Sequence, residues 1–176
     1  MKTKQQKSPF NIVLADDDND DCLFFKEALK GFGMPAHLTV VQDGEELMRL
    51  LTDETVQLPN LLFLDLNMPR KNGYECLSEI KLNKKLKHLP VIIYSTSFHK
   101  KFADILYEAG ANYYISKPSE FSKLKKAVQK MISFIAGDNF QHPVREKFLL
   151  TEEKKNSRSF LWFQDFFITP GAKETN

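Results

Sequence analysis

Residues 60–73 read NLLFLDLNMPRKNG. Leu61 to Leu64 form an unbroken apolar run that closes on Asp65, and Pro69 and Gly73 follow before helical spacing sets in at Gly73, Leu77 and Ile80. An apolar run with no polar alternation is the signature of a strand covered on both faces, as in a parallel sheet. A carboxylate placed where such a strand ends lies at the edge where open α/β sheets bind their ligands.

Outward from this stretch the same alternation repeats. Phe10–Ala15 (FNIVLA), His37–Val41 (HLTVV), Asn60–Asp65, Pro90–Ser95 (PVIIYS) and Asn112–Ser116 (NYYIS) are short runs rich in β-branched and aromatic residues, which predicts buried strands. Between them, apolar residues recur at helical spacing: Phe25, Ala28, Leu29 and Phe32; Leu47, Leu50 and Leu51; Gly73, Leu77 and Ile80; Phe102, Ile105, Leu106 and Ala109; then Phe121, Leu124, Val128, Ile132 and Ile135. Punctuation agrees: Gly33 and Pro35 are expected to end the first helix, Asp43 and Glu46 are spaced as a capping pair, and Gly110 follows the fourth helix. The pattern is (βα)5. Right-handed crossovers turn it into an open, doubly wound parallel sheet with helices on both faces.

Composition sets the outer bounds. The 176 residues carry 25 Lys and Arg against 23 Asp and Glu, a formal charge of +2, so bulk charge calls for neither nucleic acid nor a membrane surface. Met1 to Pro9 is polar and expected to be a flexible tail, and no later stretch is long and apolar enough to span a bilayer. The expectation is a cytoplasmic protein. Cys22 and Cys76 lie in apolar segments without paired spacing, which predicts buried, reduced thiols and neither a disulfide framework nor a zinc site.

The polar residues delivered at the strand ends carry the chemistry: Asp16 and Asp17 after strand 1, Asp65 at strand 3, Ser95 and Thr96 at strand 4, and Lys117 after strand 5. Carboxylate pairs ~5 Å apart repel by roughly 3 kcal/mol at an effective dielectric of about 20. A cation or a raised pKa must relieve them. Oxygen ligands with no His or Cys in register favour Mg2+, the usual companion of phosphoryl chemistry, and one carboxylate can then act as nucleophile toward phosphorus.

These motifs in this order resemble the receiver domain of two-component response regulators, from Phe10 to about Gly137. The acidic pair lies in VLADDDNDD, the phosphoaccepting Asp in FLDLNMPRKNG, the hydroxyl in VIIYSTS and the Lys-Pro in YYISKPS. DLNMPRKNG is also similar to single-domain regulators associated with phytochromes. The resemblance implies a flavodoxin-like sheet of strand order 2-1-3-4-5. It implies that Asp65 accepts a phosphoryl group from a histidine kinase or phosphotransfer protein, with Lys117 and Ser95 contacting phosphoryl oxygens. Mg2+ would be bound by Asp17, Asp65 and the backbone carbonyl of Asn67, with Asp16 acting mainly through water.

The family's switch aromatic falls on Tyr114, with Tyr113 adjacent, and a cis Lys117–Pro118 bond is expected. Ser95 and Tyr114 would shift together, changing the face of helix 4, strand 5 and helix 5. Thr96 stands where a smaller residue is more usual, which implies narrower access and altered dephosphorylation. Which two of Asp16, Asp17 and Asp18 face the metal depends on where strand 1 stops; Asp16 and Asp17 are chosen.

Rival readings fit less well. Asp16 to Glu27 matches much of an EF-hand loop but has Asp21 where the turn glycine belongs and a strand in front of it. Helix capping by Asp20 or Asp21 is the plainer account of part of this acidic run. A haloacid-dehalogenase-like phosphohydrolase needs a second Asp two residues after the nucleophile, where Asn67 stands and cannot act as acid or base. A receiver reduced to a phosphorylation-independent binding module is the other alternative. His37, His88, His99 and His142 have no ligand spacing, and the lysine-rich stretches read as solvated faces.

Residues 138–176 form an extension holding Phe140, Phe148, Phe160, Trp162, Phe163, Phe166 and Phe167. It is too short for the usual DNA-binding output domain, so output is expected through protein contact: a homodimer through the helix 4, strand 5, helix 5 face or the tail, or an unknown downstream protein. Phe160, Phe163 and Phe167 allow a short helix, and Trp162 is expected to be buried.

Overall fold

The computed structural model describes residues 9–96, 99–137 and 142–150. Strands β1 (Phe10–Ala15), β2 (Ala36–Val41), β3 (Leu61–Leu64), β4 (Val91–Ser95) and β5 (Tyr113–Ser116) alternate with helices α1 (Asn19–Leu29), α2 (Gly44–Thr52), α3 (Gly73–Leu82), α4 (Lys100–Glu108) and α5 (Phe121–Ile135). The chain then makes a 3-10 turn at Arg145–Lys147 and adds β6, Leu149–Leu150. All pairings are parallel, in the order β2-β1-β3-β4-β5-β6.

The pleat divides the core in two. Val13, Ala15, Leu62, Leu64 and Ile93 face α2, α3 and α4 residues such as Leu47, Leu77 and Leu106. Ile12, Leu14, Phe63, Tyr94 and Tyr113 face Phe25 of α1 and Leu124, Val128, Met131 and Ile132 of α5. Phe25, Phe63 and Tyr94 pack edge to face with ring centroids 4.7, 5.7 and 6.2 Å apart, the geometry that aromatic quadrupoles favour.

Several local expectations are corrected. The cap of α1 is Asp18, which accepts from the backbone N–H groups of Asp20 and Asp21; those two acids lie inside the first turn. Helix α1 stops at Leu29, a few residues before Gly33 and Pro35: Lys30 is already extended, and Gly31 after it takes a left-handed backbone, φ 73°, that an L side chain resists. Phe121 and Ile105, placed on core faces by their spacing, are 45% and 47% exposed. The sheet has a sixth strand, drawn from the extension. The expected polar tail falls, but for Pro9, outside the described residues, as do Phe140, the aromatic helix around Phe160 and the burial of Trp162.

Among the described residues no helix is long and apolar enough to cross a membrane. Both cysteines are free and buried, and burial pushes the thiols of Cys22 and Cys76 up to about 11.

Candidate functional site

Sheet hydrogen bonds carry the polar residues one step past the strands. Asp16 donates its N–H to the Val41 carbonyl (3.0 Å), Asp65 to that of Ala15 (2.9 Å) and Lys117 to that of Ser95 (3.0 Å). The carboxyl ends of β1, β3, β4 and β5 therefore converge. Carboxylate oxygens of Asp16, Asp17 and Asp65 all lie within 4.8 Å of one another, Asp16 and Asp65 buried and Asp17 exposed. Asp18 is turned away to cap α1, so Asp16 and Asp17 are the pair that faces Asp65.

Lys117 enters from the far side. Its Nζ lies 2.7 Å from Asp16 Oδ2, 2.7 Å from Asp21 Oδ2 and 3.5 Å from Asp65 Oδ1, and 5.2 Å from the centre of the Tyr94 ring. Burial alone would lower the ammonium's pKa, but hydrogen bonds to Asp16 and Asp21 and the charges of Asp65 and Asp16 outweigh it and hold it above the ordinary lysine value. Asp16 is pushed up to about 6, by burial first, with Lys117 pulling the other way and the Asp65 charge adding to the rise.

The loop after Asp65 is tightly folded. Asn67 donates its N–H to Asp65 Oδ2 at 2.8 Å, and Gly73 donates to the Leu66 carbonyl at 3.0 Å. A Cβ on Gly73 would sit 2.1 Å from the Asp65 carbonyl oxygen. Only a residue without a side chain lets α3 begin so close behind the acid.

Ser95 is fully buried, and its Oγ makes no hydrogen bond of ordinary geometry, although the Tyr114 hydroxyl is near enough for Ser95 to offset part of the rise that burial imposes on it, to about 12. The pleat separates the two tyrosines: Tyr114 packs on the α4 side, and Tyr113 on the side of α1 and α5. Tyr114 donates its N–H to the Phe148 carbonyl (2.9 Å), and the Phe148 ring is 6.5 Å from that of Tyr114 and 5.3 Å from that of Tyr107.

The Lys117–Pro118 bond is trans, not cis. Trans is the lower-energy isomer of an X–Pro bond by about 0.5–1 kcal/mol, and this connection already brings the ammonium to the carboxylates. Beyond Pro118 a cleft of about 360 Å³ opens between α1 and α5, lined by Asp21, Phe24, Tyr94, Thr96, Lys117 and Phe121. Thr96 is exposed at its edge.

Two contributors escape a sequence reading. Asp21 looks like one more acid in a helix start, and no local signal sets it apart from its neighbours. Phe148 and β6 read as loop because Phe-Leu-Leu is too short a run to score as a strand.

A binding edge of this kind, on a sheet of this order, defines the class. The chain belongs to the response regulator receiver domain family, whose profile matches residues 12–129. It is similar to response regulator Rcp1 of Synechocystis, 35% identical over 134 residues that cover 74% of this chain and 91% of that protein. Among solved structures it is similar to the Mn2+-bound form of Rcp1 (34% identical, TM-score 0.69, 77% of this chain and 100% of that one). It is similar also to the phosphorylated cyanobacterial phytochrome response regulator RcpA (33% identical, TM-score 0.71, 78% and 100%). The family is one of signalling receivers.

Proposed function

We propose that this chain is a single-domain response regulator of a two-component phosphorelay, working in the cytoplasm. A carboxylate oxygen of Asp65 attacks the phosphorus of a phosphohistidine on a histidine kinase or phosphotransfer protein. The P–N bond breaks, and its electron pair returns to the imidazole. The observation that carries the reading is the convergence of Asp16, Asp17, Asp65 and Lys117 at one sheet edge.

Three carboxylates with no His or Cys among them form a hard oxygen donor set that fits Mg2+. Asp16, Asp17, Asp65 and the Asn67 backbone carbonyl would hold it. When bound, Mg2+ supplies positive charge against which a phosphoryl group can approach the carboxylates. Lys117 and Ser95 would receive phosphoryl oxygens, the lysine as a mobile point charge. The relatives support this, one being described with Mn2+ bound and another phosphorylated.

Ser95 moving toward the phosphoryl group would vacate space that Tyr114 can fill, and the backbone and ring of Tyr114 both touch Phe148. Residues 10–137 would form the receiver body and 138–176 an extension, of which the described residues 142–150 pack against α4 and β5. Signal would leave through that face and the extension, to a downstream protein or a second protomer.

The test is intact mass after incubation with Mg2+ and acetyl phosphate, beside Asp65→Asn and a magnesium-free control. A metal-dependent gain of one phosphoryl group, absent in Asp65→Asn, is expected. No gain from either acetyl phosphate or a phosphorylated phosphotransfer protein would refute phosphoacceptance and leave a pure binding module.

A further inference from the structure

The roles given above leave Asp21 unused, although its carboxylate is as close to the Lys117 ammonium as that of Asp16, 2.7 Å in each case, and closer than Asp65 at 3.5 Å. The Asp21 contact has full hydrogen-bond geometry, Nζ donating to Oδ2. Asp21 sits in the first turn of α1, one turn beyond the cap Asp18, and its side chain is 30% exposed while those of Asp16 and Lys117 are 1% and 8% exposed. Lys117 is thus shared between a buried partner and one at the wall of the cleft that opens beside the site.

We propose that Asp21 is a positioning residue that parks the Lys117 ammonium off Asp65 until a phosphoryl group arrives. The inference rests on the phosphoacceptor reading. An ammonium donating squarely to an Asp65 oxygen would occupy a lone pair needed for attack on phosphorus. Held by Asp21, it leaves Asp65 free yet stays within one short swing of the group that forms there. A phosphoryl group carries nearly two negative charges and can draw the lysine from a half-open, partly hydrated carboxylate more readily than from a buried one. Asp21 therefore works against the phosphorylated arrangement: its pull on Lys117 must be surrendered each time.

Removing that pull should tighten binding of a phosphoryl mimic. With the full chain at saturating Mg2+, beryllofluoride is titrated by fluorine NMR against wild type, Asp21→Asn, Asp21→Ala and Asp20→Asn. Asp20 is an exposed acid in the same turn of α1 with no contact to Lys117 among those described. Its variant removes the same charge from the same helix start without touching the lysine. Both Asp21 variants should bind about twofold to fivefold more tightly, the scale of a part-exposed ion pair, and Asp20→Asn should match wild type. A merely structural role for Asp21 would weaken the site instead.

Wild-type binding with unchanged or weaker binding in both Asp21 variants overturns the inference and leaves the receiver reading standing. Equal tightening by Asp20→Asn also overturns it, since bulk charge would then explain the effect. Beryllofluoride binding by none of the four proteins overturns both.

Discussion

Asp16→Asn is expected to stabilise the metal-free protein at neutral pH, although it removes a partner of Lys117. Asp16 is fully buried, and burial is the largest influence on its carboxyl, carrying it from 3.8 to about 6. At about 1.36 kcal/mol per unit, a rise of this size corresponds to about 3 kcal/mol of folding stability. Between pH 3.8 and about 6 the folded state retains a proton that the unfolded state releases. Stability is therefore lost as pH rises through that window, and the whole cost stands above it.

Asparagine mimics the protonated acid at every pH and is spared this cost. Urea unfolding in EDTA at pH 8 should give Asp16→Asn a midpoint higher by about 1.5 M, taking a slope of about 2 kcal/mol per M. The advantage should shrink to a small fraction by about pH 4. Mg2+ should narrow it at pH 8 by stabilising the wild type preferentially. A variant no more stable than wild type at pH 8, or an advantage that persists undiminished at pH 4, would refute the reasoning.

Other perturbations probe the scaffold. Phe148→Ala removes a buried ring held between Tyr107 and Tyr114, a loss of about 3–5 kcal/mol in a well-packed core. Because β6 has two residues, the loss should fall on that strand, and hydrogen exchange at the Tyr114 amide, which donates to Phe148, should accelerate at least about thirtyfold. Unchanged protection there would show that β6 is held elsewhere. Gly73→Ala drives a methyl to 2.1 Å from the Asp65 carbonyl; overpacking against backbone should cost about 1–3 kcal/mol or more and displace Asp65. A lowered urea midpoint with weakened Mg2+ binding by calorimetry is expected, and wild-type values for both would sink the close-packing argument.

The sequence by itself determined the order and type of the ten main elements and the edge at which the chemistry gathers. Unbroken runs such as LLFL at 61–64 are buried whichever way the sheet is assembled, and an acid or lysine directly after such a run has nowhere to go but the carboxyl edge.

What only the tertiary structure decided involves pairings between distant segments. Ninety-six residues separate Lys117 from Asp21, and nothing local distinguishes Asp21 from the acids around it. Pleat parity put Tyr114, not Tyr113, on the Ser95 side, which depends on the β4–β5 register. Leu149 and Leu150 become a strand only because β5 presents an unpaired edge to them. Two residues have too little intrinsic preference to be a strand alone; the neighbouring edge, with its row of open N–H and C=O groups, makes them one.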